Sequence, residues 1–220
     1  PLPGPQSEEE IIRDANKLLG ANVDLDCRPS FLSAGLARNF VPSMVPMIAT
    51  RGEFLTSYTP YQPEVSQGML QAMWEFQTMI SELVELPISN VSMYDASTSA
   101  AEAITCAVRV KSKKVEKPNT VFISELVPPH RMSVIHNYTQ GVGIEIIKLP
   151  HREDGLLDLE KASLASGSCA VYVEQPNSFG ILDEGLIRLR EIVGENTAII
   201  VGVDVTPLGL VEPPGNWGAD

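Results

Sequence analysis

Cys169-Ala-Val-Tyr-Val173 and Ala198-Ile-Ile-Val-Gly-Val203 decide the fold. Both runs are apolar at successive positions and rich in β-branched residues, so neither face of the strand is left polar for water. Strands of that kind belong where helices cover both sides of a parallel sheet. Working outward, Thr120–Ser124 and Ile144–Leu149 read as two further strands. Helical periods lie between and around them: Thr98–Val110, a helix near Arg131–Asn137, a short helix capped by Asp158 and running through Leu164, and Asp183–Val193. Strands separated by helices of about ten residues imply βαβ crossovers. The expected class is α/β, a mostly parallel sheet with helices on both faces.

Ahead of this core the pattern changes. Ser7-Glu8-Glu9-Glu10 is a capping box in which Ser7 can accept from the third helical amide while Glu10 reaches back. Ile11, Ile12, Ala15, Leu18 and Leu19 follow at helical spacing, and Gly20 offers a stop. From Pro29 to Pro63, prolines interleave with Tyr58 and Tyr61, which predicts a segment wrapping over a surface between short helical turns. A helical period resumes from Ser66 to Leu86, and Pro87 ends it. The organisation expected is a helical, Pro-rich N-terminal arm over 1–66 and part of a large domain over 67–220. The chain has no initiating Met and stops at Gly218-Ala-Asp220 without a closing element, which reads as a piece of a longer protein.

Hydrophobic residues make up 44% and charged residues 20%, enough apolar side chain for a buried core. The 28 acids against 16 Lys plus Arg give a net charge of −12, the wrong sign for a nucleic-acid footprint. Three cysteines, Cys27, Cys106 and Cys169, are too few and too scattered for a disulfide scaffold or zinc ribbon and suit a reducing cytosol. Cys106 and Cys169 fall in helix and strand periods and are expected in the core. Met44, Met47, Met69, Met73 and Met79 are expected to pack rather than to ligate. No apolar run approaches the length of a membrane helix, which is about 20 residues. The expectation is a cytoplasmic protein with no membrane segment, no bound metal and no nucleic-acid partner.

Four places carry residues suited to chemistry. Asp95, Ser97, Thr98 and Ser99 crowd the start of an Ala-rich helix, where free amides and the helix dipole favour an anion such as phosphate. Ordinary N-capping explains the same residues. Asp204 ends the most hydrophobic strand, where it can pair with a cation or a protonated ring nitrogen, or simply cap the Pro207 turn. His130 follows another strand end, placed to stack on a planar ligand or move protons, or to serve as an ordinary loop histidine. Glu174-Gln-Pro-Asn177 follows a third strand, so these groups converge on one edge of the sheet.

Tyr58-Thr-Pro-Tyr-Gln-Pro-Glu-Val-Ser-Gln-Gly68, with Phe76-Gln-Thr-Met79, resembles the signature of glycine dehydrogenase (decarboxylating), the P-protein of the glycine cleavage system. Asn90-Val-Ser-Met-Tyr-Asp95, Ala100-Ala-Glu-Ala103, Val203-Asp-Val-Thr-Pro-Leu-Gly-Leu210 and Pro213-Pro-Gly215 continue the likeness in order. It spans about residue 31 to 220 and is nearer to subunit 1 of the two-chain form. The resemblance implies the fold-type-I large domain of pyridoxal-phosphate (PLP) transferases. It further implies decarboxylation of glycine and transfer of the aminomethyl group to the lipoyl arm of H-protein. By family position Ser97, Thr98 and Ser99 would face the cofactor phosphate, and His130 would stack on its ring. Asp204 would pair with the ring nitrogen, and Asn177 would lie near the phenolic oxygen or the substrate carboxylate.

In the two-chain form the cofactor's lysine belongs to subunit 2, and no lysine follows Asp204 here. The resemblance therefore leaves two states open for the matched residues, functional or vestigial. Tyr58, Tyr61, Gln62 and Glu64 would then reach substrate or the neighbouring subunit in a dimer or heterotetramer. Three functions follow: the non-lysine half of the decarboxylase, an inert docking subunit for subunit 2, or a stand-alone PLP aminotransferase or desulfurase.

Overall fold

Four strands, Lys117–Ser124 (β1), Glu145–Leu149 (β2), Ser168–Gln175 (β3) and Ala198–Val203 (β4), pair in the order β2-β1-β3-β4, all of them parallel. The register runs through Val121, which faces Ile146 of β2 and Ala170 of β3, and Ala170 in turn faces Ala198 of β4. Side chains alternate between faces, as the strand period requires. Val121, Ile123, Ala170 and Tyr172 go to one apolar cluster, and Phe122, Val171, Val173 and Ile199 to the other. Both faces are covered, so Val171 and Ile123 lose all contact with water. Each such aliphatic side chain contributes about 1.5–3 kcal/mol.

The computed structural model describes residues 4–23, 28 and 39–220, and the chain divides into units Pro1–Val41 and Pro42–Asp220. In the first unit, Glu8–Leu19 (α1) opens with the capping box: Glu10 N–H donates to Ser7 Oγ (3.3 Å) and Ser7 N–H to Glu10 Oε2 (2.8 Å). In the second unit, the described part of the Pro-rich segment holds two short helices, Met44–Ala49 (α2) and Gly52–Leu55 (α3), and a 3-10 turn at Pro63–Val65. Phe31 and Leu32 lie outside the described residues. Gln67–Val84 (α4) ends on Glu85 in the left-handed conformation (φ 55°). A Cβ on Gly215 would stand 1.9 Å from the Glu85 carbonyl oxygen, so only glycine lets Pro213-Pro-Gly215 pass the helix end.

Ala96–Lys111 (α5) and Pro129–Gln140 (α6) cover the first face of the sheet through Ala101, Ile104, Val108 and Ile135. Leu159–Ala162 (α7), Leu189–Val193 (α8) and Trp217 cover the second. The final residues turn back to β4, where Asp220 N–H donates to Ile199 O and Asp220 Oδ2 accepts from Ile199 N–H, both at 2.9 Å.

Several expectations are corrected. The helix expected at Arg131–Asn137 starts earlier, because Pro129 at its first position has φ already set for a helix. Asp158–Leu164 is one α-turn followed by a 3-10 turn, and Asp183–Val193 is 3-10 over Glu184–Arg188 before α8 begins. Cys169 is buried, but Cys106 is exposed. The buried stripe of α5 runs Ser97, Ala100, Ala101, Ile104, Thr105 and Val108, and Cys106 falls on the other side. Met44, Met47 and Met79 are also exposed, since α2 and α4 bury no residue completely.

Candidate functional site

Parallel strands bring their carboxyl ends to one edge, and each end delivers a polar group. Glu125, His130 and Arg131 follow β1, His151 follows β2, Asn177 follows β3 and Asp204 follows β4. The start of α6 lies at the same edge because it follows β1, and the charge of Arg131 in that first turn reaches Asp95 at the start of α5.

At the start of α5 the capping reading is realised. Thr98 N–H donates to Asp95 Oδ1 at 2.7 Å, Thr98 Oγ1 donates to the same oxygen at 2.8 Å, and Asp95 N–H donates to Thr98 Oγ1 at 3.1 Å. These bonds hold the Asp95 carboxyl below its ordinary value, with Thr98 the largest cause and the charge of Arg131 a smaller one. The carboxylate is thus ionised and takes up the Thr98 amide and hydroxyl, two of the groups an anion could use at this helix start. Ser97 is buried and Ser99 is exposed on the same turn.

Asn177 is spent on its own loop. Its Nδ2 donates to Gly155 O (2.9 Å), and its Oδ1 accepts from the amides of Phe179 (2.9 Å) and Ile181 (3.2 Å). Asp204 is exposed and accepts from Thr206 N–H at 3.0 Å, the turn cap that its position before Pro207 allows. As arranged, Asp95, Thr98 and Asn177 do not fit a phosphorylated cofactor held by this chain. His130 differs. It is exposed on the first turn of α6, and no described residue hydrogen-bonds its ring.

Beside His130 lies a cluster that the sequence reading missed. Arg131 Nη1 meets Glu174 Oε1 at 2.5 Å, and Tyr172 Oη donates to the same oxygen at 3.0 Å. Burial pushes the Glu174 carboxyl above its ordinary value against the pull of Arg131, and burial then the Glu174 charge push the Tyr172 phenol up. Arg131 Nε is buried without a partner among the described residues. The available signal was Glu174 itself, a charge closing an otherwise apolar strand. A second pair, His151 and Glu125 at 3.5 Å, sits half-exposed with the Phe179 ring edge-on to the imidazole.

The Tyr58–Gly68 segment lies apart from this edge in sequence and is open to solvent. The Tyr58 and Tyr61 rings are exposed, 6.5 Å apart and tilted by 58°, and Gln62 and Glu64 are exposed with them. A groove of about 500 Å³ runs between Phe54, Ser57, Val65 and Met69, with Arg51 and Glu53 paired at its rim (2.7 Å). The Arg51 hydrogen bond holds Glu53 down to about 2. Both groups are solvent-exposed, so the pair adds little stability.

A parallel β2-β1-β3-β4 sheet covered on both faces, with polar groups gathered at its carboxyl edge, places the chain in the PLP-transferase-like class of α/β folds. A NifS-like protein shares that fold over 70% of this chain (TM-score 0.51, 12% identity). More specifically, the chain belongs to the glycine cleavage system P-protein family, whose model matches residues 1–220. Probable glycine dehydrogenase (decarboxylating) subunit 1 of Thermococcus onnurineus is 46% identical over the whole chain, and that of Pyrococcus abyssi 43%. A crystal structure of inhibitor-bound glycine decarboxylase (P-protein) superposes on all of the chain with a TM-score of 0.85 and 38% identity. The chain spans about half the length of these relatives, 48% of the first and 49% of the second. Among the described residues no helix is long and apolar enough to cross a membrane.

Proposed function

We propose that this chain is part of the non-lysine subunit of a two-chain glycine decarboxylase, working in the cytoplasm with a PLP-bearing subunit 2. The complex would decarboxylate glycine and pass the aminomethyl group to the lipoyl arm of H-protein, with PLP supplying the electron sink. The observation that carries this reading is the match of the P-protein family model across residues 1–220, with relatives at 43–46% identity bearing the subunit 1 description. The chemistry of the edge supports placing the cofactor's lysine on the partner. Asp95 takes up the Thr98 amide at the start of α5, and Asn177 and Asp204 serve their own turns. In this reading Ser97, Thr98 and Ser99 are a helix cap that keeps the family's shape. His130 is the edge residue left available to a ligand or to the partner's site. Tyr58, Tyr61, Gln62 and Glu64 contact substrate or the partner across the subunit boundary.

The test uses the assembled enzyme. Substituting Tyr61→Ala should lower glycine–bicarbonate exchange about tenfold or more, the scale of a misplaced contact in a preorganised site. An unchanged rate would leave docking as this subunit's whole role. Borohydride reduction followed by peptide mapping should place the cofactor on the partner; label on this chain would overturn the assignment of the lysine.

A further inference from the structure

We infer that Arg131 is the positioning residue of the carboxyl edge, fixing His130 through a buried bond to Glu174. The inference rests on the reading of His130 as the group this edge presents. Helix α6 begins without a side-chain cap, since Pro128 stands at the capping position and has no acceptor to offer. Its first turn is tied down instead by Arg131, whose guanidinium reaches Glu174 near the end of β3 at 2.5 Å. Glu174 in turn accepts from Tyr172 Oη, and the Tyr172 hydroxyl fits because β4 has glycine opposite: a Cβ on Gly202 would lie 2.5 Å from it. A continuous chain of contacts thus runs from β4 through β3 to α6 and stops one residue from His130. The Arg131 charge also reaches the cap of α5, where it helps keep Asp95 ionised. One cation therefore ties α6 to β3 at the edge.

Stability alone does not account for this arrangement. A buried ion pair does no better, and often worse, than apolar side chains of the same size. Arg131 Nε, buried with no acceptor among the described residues, adds a further cost. Arginine does what an apolar pair cannot, which is to fix direction through the planar guanidinium whose Nη1 meets Glu174 Oε1.

The experiment compares Arg131→Met, the double variant R131M/E174M, Arg131→Lys and His130→Ala in the complete subunit assembled with its partner. Three readouts are taken: the unfolding midpoint, the ring signal of His130 in spectra of 13C-labelled histidine, and the kcat and KM of glycine–bicarbonate exchange. The single Arg131→Met variant strands Glu174 and loses both stability and exchange. The double variant, which removes both charges but leaves the Tyr172 hydroxyl without its acceptor, recovers part of the unfolding midpoint, yet its His130 signal stays shifted from the parent position. Its kcat stays about tenfold to a hundredfold low, the penalty of a group displaced by about 1 Å. Arg131→Lys, which keeps the charge without the planar guanidinium, recovers only part of kcat. If the double variant regains the His130 signal and kcat together with stability, Arg131 is merely structural and the inference fails. If His130→Ala leaves exchange unchanged, the reading of His130 fails, and the inference with it.

Discussion

Gly202 and the two carboxylates on either side of Arg131 set the chemistry of the edge one residue at a time. A methyl at position 202 would stand 2.5 Å from Tyr172 Oη and 3.1 Å from Glu174 Cγ, both in the packed interior. Gly202→Ala should therefore destabilise the chain by about 1–3 kcal/mol, the usual range for overpacking, measured by urea unfolding. Glu174 and Asp95 respond to pH in opposite directions. Glu174 is pushed up, so the folded state holds its proton more tightly than the unfolded state does. Its contribution to stability falls as pH rises from the ordinary glutamate value through its own raised one. Asp95 is held down, so its contribution is present above the ordinary aspartate value and is lost as pH falls through its folded value. Unfolding free energies measured across pH should show the Glu174→Gln variant losing the first slope and Asp95→Asn losing the second. Parallel curves for parent and variants would mean that neither carboxyl is perturbed.

At the scale of elements, the strands were legible and the second-face helices only in part, their 3-10 portions being missed. Val121-Phe-Ile123, Ala170-Val-Tyr-Val173 and Ala198-Ile-Ile are apolar at every position, and that continuous pattern survives as strands buried on both faces. The α5 cap was also written locally, because Asp95 and Thr98 stand three residues apart. Asp183 carries a signal that no local window holds. Its Oδ2 accepts from Leu157 N–H, 26 residues away, while its Oδ1 accepts from Gly185 N–H, both at 2.9 Å. Pinned at both oxygens, it draws Glu184–Arg188 into a 3-10 turn where helical spacing alone predicted an α-helix. The Arg131–Glu174 pair was hidden for the same reason, since it joins residues 43 positions apart (174 minus 131). Asp183→Ala should leave the buried Leu157 amide without an acceptor and reduce stability by about 1–3 kcal/mol. Hydrogen exchange would show the loss at Leu157 and Gly185 first; unchanged protection there would mean that the loop is held by other contacts.

For the molecule as a whole, the uncovered apolar side chains around α4 point to assembly. Leu70 and Trp74 are one helical turn apart on α4 and therefore share a side of it, and Trp74 is 69% exposed. Pro63, Glu64, Gln67 and Gln71 flank them in a shallow groove. Under the proposed function, a large aromatic left that open in a chain of net charge −12 is a candidate contact for the partner subunit. Like-charge repulsion opposes casual self-association, which leaves apolar contact as the adhesive term. Tryptophan anchors commonly carry about 2 kcal/mol or more of an interface, and that corresponds to roughly 30-fold in affinity. Trp74→Ala should accordingly weaken binding of the complete subunit to its partner by that factor, read by sedimentation across a concentration series. Leu164→Ala, on an exposed 3-10 turn elsewhere, should leave the affinity as it was. Equal affinities for the parent and Trp74→Ala would remove this side of α4 from the interface and leave the Tyr58–Gly68 segment to make the contact without it.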